Sequence, residues 1–227
     1  MIKEFIALVI GASTVMTPQI QDTTTDVVIR AGEYDGKPGK RIYVESTYEM
    51  PYDIPLHKDE RGYYIAEHDI NVKLAKRINE YLTEYGANTK LQISNGKAED
   101  LNAAGRIARE EDPTVYLSVH HNYVDNQNVS GYVWFVNPGD TESYKYAQVL
   151  DGVLEDNPGC IPSMGVREQD RYIGEMNMQP GEINLLFEGG FFSNTNKDLH
   201  AIMDNEHVDY VAHEIAIAIM DILDNIE

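Results

Sequence analysis

Residues 114–122, TVYLSVHHN, constrain the fold of this chain more than any other stretch. An apolar run of this length, with Pro113 before it and polar residues after it, reads as a buried strand. Side chains alternate along a strand, so Tyr116, Ser118 and His120 share one face, and Val115, Leu117, Val119 and His121 share the other. The strand ends in two histidines and an asparagine. In open α/β sheets, ligands sit beyond the carboxyl ends of the strands, so the end of this run is where a site is expected.

The rest of the chain reads as strands alternating with helices. Strands are expected at 26–30, 89–93, 130–136 and 182–187. Helices are expected at 64–85, where Ile70, Leu74, Ile78 and Leu82 recur every four residues and Gly86 supplies the stop, and at 98–111, with Leu101, Ala104 and Ala108 inward. Asp140 caps a third helix that reaches about Glu155. A last helix covers 205–225, with Val208, Val211, Ile215, Ile219, Ile222 and Ile226 on one stripe. Residues 41–63 read as an excursion with at most short strands, and 156–181 as a Gly-, Pro- and Met-rich loop. The class is therefore α/β, a single domain with a mostly parallel twisted sheet flanked by helices on both faces. Residues 1–25 form an N-terminal apolar segment and linker, a possible signal-like segment, and 26–227 the domain. The apolar run 5–16 is too short for a stable membrane span.

Composition narrows the partners. A net charge of −20 on 227 residues excludes nucleic-acid binding through a basic surface. The single cysteine, Cys160, excludes an internal disulfide framework. Nothing in the sequence fixes an oligomeric state. The 15 tyrosines include several between positions 34 and 85 that would suit a sugar- and peptide-binding groove, although packing is the commoner role for each one singly.

Three expected strands deliver a ligand or catalyst near their C-terminal ends, namely Glu33, His120 and Glu188. Glu67 opens a helix on its inner face, where a carboxylate is costly unless it is paired or binds a metal. Oxygen and imidazole ligands with an open position describe a hydrolytic zinc site, and a further carboxylate would serve as general base and acid. Ser118 and Asn122 are candidates to support the ligands, or to make ordinary strand-end hydrogen bonds.

The chain resembles the zinc-dependent N-acetylmuramoyl-L-alanine amidases that cut peptidoglycan, over roughly residues 26–225. The matching pieces are AEHDIN at 66–71, LSVHHN at 117–122 and LFEGGFFSN at 186–194, with Arg106 and Gly131 also in place. The resemblance implies that Glu67 and His120 ligate zinc, that Glu188 is the catalytic carboxylate, and that Gly189 and Gly190 let substrate approach the backbone. It implies a secreted or wall-associated enzyme, or a phage lysis protein acting on a host wall. The family's first strand ends in a Gly-His pair whose histidine binds zinc, whereas this chain has Gly32-Glu33. Glu33 in that position shifts preference toward harder ions such as manganese, and His57, His68 or His121 are alternatives to complete the site. A competing reading is an amidase-like module that binds the wall or a partner without cutting.

Overall fold

The computed structural model describes residues 26–31, 41–44, 57–59, 62–93, 101–155, 161–169 and 174–226. The N-terminal apolar run, the proposed boundary before residue 26 and Glu33 lie outside the described residues.

The chain enters the main sheet through β1 (Val27–Ala31). A small antiparallel sheet follows, built from β2 (Arg41–Val44), β3 (His57–Asp59) and β4 (Gly62–Ala66) in the order β2-β4-β3. Then come α1 (Glu67–Glu84), β5 (Thr89–Ile93), α2 (Leu101–Glu110), β6 (Val115–Asn122) and β7 (Tyr132–Val136). The second half adds α3 (Thr141–Glu155), β8 (Ser163–Glu168), a 3-10 turn at Gly174–Met178, β9 (Ile183–Phe191), α4 (Asp198–Met203) and α5 (Asn205–Asn225).

Six strands form the main sheet in the order β5-β1-β6-β9-β7-β8. β5, β1, β6 and β9 are mutually parallel, and β7 runs antiparallel to β9 while pairing parallel with β8. The sheet is thus mixed. Residues 123–131 joining β6 to β7 are too few for a parallel crossover, which takes a dozen or more residues and usually a helix. The connection stays at one edge and β7 runs back.

The two faces of the sheet are unequal. Val27, Ile29, Val115, Leu117, Val119, Leu185 and Phe187 point toward α1, α3 and α5 and form most of the core. The other face is covered by a smaller cluster of Val28, Tyr116 and Leu186 with Ala108 of α2 and Met176 of the 3-10 turn. Each fully buried aliphatic side chain contributes about 1.5–3 kcal/mol, so the thick layer on the α1/α5 side supplies most of the stability. It leaves the thin side and the strand ends free to carry polar groups.

The helix boundaries have local causes. Gly86, at φ +95°, ends α1 in the left-handed conformation that glycine adopts without strain. Asp140 accepts from the backbone N–H of Ser143 at 3.0 Å and its hydroxyl at 2.7 Å, the cap expected for α3. Asp204 caps α5 through Glu206 N–H at 2.9 Å.

Candidate active site

The carboxyl end of β6 brings the polar residues together. Alternation places His120 on the thin face and His121 on the core face, as the sequence indicates. His120 Nδ1 lies 3.1 Å from Glu67 Oε1, and His120 Nε2 lies 3.3 Å from Glu175 Oε1. Glu67 is the first residue of α1, where the positive end of the helix dipole favours a carboxylate. Glu175 comes from the 3-10 turn and is fully buried, and Ser118, two residues before His120 on the same face, donates its hydroxyl to Glu175 Oε1 at 2.6 Å.

Burial alone would lower the pKa of His120. Hydrogen bonds to Glu175 and Glu67, together with their charges, outweigh it and raise the group to about 10. Each ring nitrogen of His120 thus faces one carboxylate group, Nδ1 that of Glu67 and Nε2 that of Glu175. His121 behaves in the opposite way. Burial, then the charges of His120 and His207, hold it down to about 3, so it is neutral. Its Nδ1–H donates to Asn71 Oδ1 at 2.8 Å, and Asn71 Nδ2 donates to Glu67 Oε1 at 3.2 Å. A chain of hydrogen bonds thus runs from His121 through Asn71 to Glu67 and fixes the orientation of the carboxylate from the core side.

Glu188 pairs in register with His120 across the parallel β6–β9 ladder, so it emerges on the same face. It is the one residue of β9 that is not fully buried. Expected at the exit of a strand ending at 187, it lies instead inside β9, where it also pairs with Val133 of β7, and the strand continues to Phe191, which pairs with Asn122.

The flanking glycines are constrained by their neighbours. A Cβ on Gly189 would sit 2.8 Å from His121 Nε2, and one on Gly190, at φ +138°, would meet Ile161 Cδ1 at 2.7 Å. Both positions are closely packed, which leaves no room for a side chain. Asn122 accepts its own neighbour's N–H, Tyr123, at 2.9 Å, the strand-end role. Arg106 is exposed on α2. His121, turned to Asn71, is not placed to join His120 as a ligand, and His68 is half-buried one residue along α1. Tyr81 and Tyr85 pack against His213 of α5.

Glu175 is the residue that sequence reasoning missed. Its only signal is an acid in a Met-rich stretch, Gly174-Glu175-Met176-Asn177-Met178.

A family model described as N-acetylmuramoyl-L-alanine amidase matches residues 57–221, most of the chain. The chain belongs to the N-acetylmuramoyl-L-alanine amidase family. It is a peptidoglycan hydrolase acting on the amide between N-acetylmuramic acid and L-alanine. The germination-specific N-acetylmuramoyl-L-alanine amidase of Bacillus subtilis (strain 168) is 27% identical over 173 residues, covering 70% of each chain. The amidase fold is shared with the crystal structure of N-acetylmuramoyl-L-alanine amidase from Clostridium difficile 630, at a TM-score of 0.67 and 18% identity over 91% of this chain and 100% of that one. It is shared also with the N-acetylmuramyl-L-alanine amidase Ami1 from Mycobacterium smegmatis, at 0.66 and 17% with the same coverage.

Among the described residues of this amidase, no group of three or more His, Cys, Asp or Glu side chains is arranged around one metal position. The reason is geometric. Glu67 and Glu175 lie on opposite ring nitrogens of His120, whose lone-pair directions diverge, so one ion cannot bind all three. Glu67 with Nδ1 forms a pair, and Glu33 lies outside the described residues.

Proposed function

We propose that this amidase hydrolyses its substrate with a divalent metal, zinc or a harder ion such as manganese, held by Glu67 and His120 with Glu33 as third ligand, and with Glu188 as general base and acid. The supporting observation is the 3.1 Å separation of Glu67 Oε1 and His120 Nδ1. Two ligands each about 2.0–2.2 Å from one tetrahedral ion stand roughly 3.3–3.5 Å apart, so the pair needs only a small adjustment. A metal there supplies Lewis acidity to the amide carbonyl and to the attacking water.

The remaining work falls to the chain. Asn71 holds Glu67 in its orientation. Glu188, partly open to solvent and beside His120 in the ladder, takes a proton from the attacking water as the tetrahedral carbon forms. It then delivers that proton to the amine nitrogen of L-alanine as the C–N bond breaks. β1 ends at Ala31, which pairs with Val119, the residue before His120.

The substrate sets the location: the protein works where it meets the wall, secreted or delivered to it. Among the described residues no helix is long and apolar enough to cross a membrane.

Glu188→Gln tests the assignment. We expect the variant to fold and bind metal as wild type does, and to lose at least about 100-fold in turnover, the usual contribution of a positioned acid–base group. Turnover within a few-fold of wild type would remove Glu188 from the reaction.

A further inference from the structure

The proposed ligand His120 presents two nitrogens, and the fold has to decide which one faces the metal. We infer that Glu175 makes this choice: it accepts the Nε2–H of His120 and thereby keeps Nδ1 directed to the Glu67 side. This rests on Glu67 and His120 being metal ligands, as proposed above.

Glu175 is built in from several directions. Ser118 donates to the same Oε1 that faces His120, at 2.6 Å, so this oxygen has a fixed position. The 3-10 turn that carries Glu175 is pressed against α2 at Gly105, where a Cβ would come within 2.4 Å of the Glu175 carbonyl oxygen. Asn137 Nδ2 donates to Met176 O at 2.9 Å and secures the turn from β7's end. Met176 is buried under the sheet. A carboxylate held this firmly against the far nitrogen of a ligating histidine fixes its tautomer and ring orientation and raises its basicity. Glu175 touches neither substrate nor metal in this arrangement and is a positioning residue.

The experiment measures zinc affinity by competition with a chromophoric chelator, on the full chain at fixed pH. Wild type is compared with Glu175→Leu, Glu175→Gln and Ser118→Ala, with far-UV circular dichroism as the folding control. Loss of the acceptor in Glu175→Leu is expected to weaken zinc binding about 10–100-fold, the range for removing such a partner. Gln retains an acceptor oxygen and should stay within about threefold of wild type, and Ser118→Ala should fall between the two. Nitrogen-resolved imidazole NMR of zinc-loaded wild type gives a second reading that needs no folded variant. Nε2 protonated and Nδ1 bound to metal is expected, and Nε2 bound to metal would overturn the inference. Wild-type affinity in folded Glu175→Leu would overturn it as well, while leaving Glu67 and His120 as ligands. Absence of zinc binding by wild type would instead remove the ligand assignment, and this inference with it.

Discussion

Asp198 provides a sharp test of how the active-site edge is held together. It is fully buried at the start of α4. Its Oδ2 accepts the backbone N–H of Gly131 at 2.9 Å and of Phe191 at 3.0 Å, and its Oδ1 accepts the Ser130 hydroxyl at 2.5 Å. One carboxylate therefore ties the loop entering β7 to the end of β9, three residues beyond Glu188. In Asp198→Ala the hydroxyl can rotate, but the two backbone donors are fixed and lose their acceptor. At about 1–3 kcal/mol for each buried donor left unsatisfied, the expected loss is about 2–6 kcal/mol. Asp198→Asn keeps one oxygen for both N–H groups and gives up the charge assistance, so it should lose about 1–2 kcal/mol. Equilibrium urea unfolding of the chelated protein measures both, read as a lower midpoint at unchanged slope. Asp209→Ala is the control. Asp209 accepts from Arg77 and Tyr81 with its side chain 48% exposed, and such surface pairs contribute under about 1 kcal/mol. An Asp198→Ala protein as stable as Asp209→Ala would refute the reasoning.

Two further outcomes follow from the groups around β6. His121 is held down to about 3, below the ordinary histidine value of 6.5, so its stabilising contribution is complete above pH 6.5 and is lost as pH falls toward 3. Thermal unfolding of the chelated protein should show the midpoint dropping between pH 6.5 and 4, and His121→Asn should flatten that limb; an unchanged limb would contradict the assignment. Gly189→Ala places a Cβ 2.8 Å from His121 Nε2 and 3.1 Å from Phe187 Cε1. Overpacking of this kind costs about 1–3 kcal/mol, and an unfolding midpoint equal to wild type would show that the site has room to spare.

The sequence exposes periodicity and strand-end chemistry well, and spatial partners poorly. The apolar stripe from Val208 to Ile222 marks α5 at its observed limits because one face of a long helix must be buried. The end of β6 is equally legible, since the alternation that separates His120 from His121 is a property of any strand. α1 begins at Glu67 and not at residue 64, because Gly62–Ala66 form β4, whose short aromatic run carries no period that distinguishes strand from helix turn. β8 is hidden in a Gly- and Met-rich stretch because, at the sheet edge and half-buried or exposed along its length, it lacks an apolar signature. Glu175 stands 55 residues from His120 and 57 from Ser118, and no local pattern links them. The strongest part of the site, the pairing of Glu67, His120 and Asn71, was half legible. The inward position of Glu67 can be read from helical spacing, whereas Asn71 enters only when α1 is laid against β6.

The central claim is that this chain cuts the amide between N-acetylmuramic acid and L-alanine. Mass spectrometry of purified peptidoglycan, incubated with the zinc- or manganese-loaded protein beside Glu188→Ala, tests it most directly. Free stem peptides carrying an L-alanine amino terminus, together with peptide-free glycan strands, are expected from wild type alone. Intact peptidoglycan with either metal, or cleavage at another bond, would contradict the account.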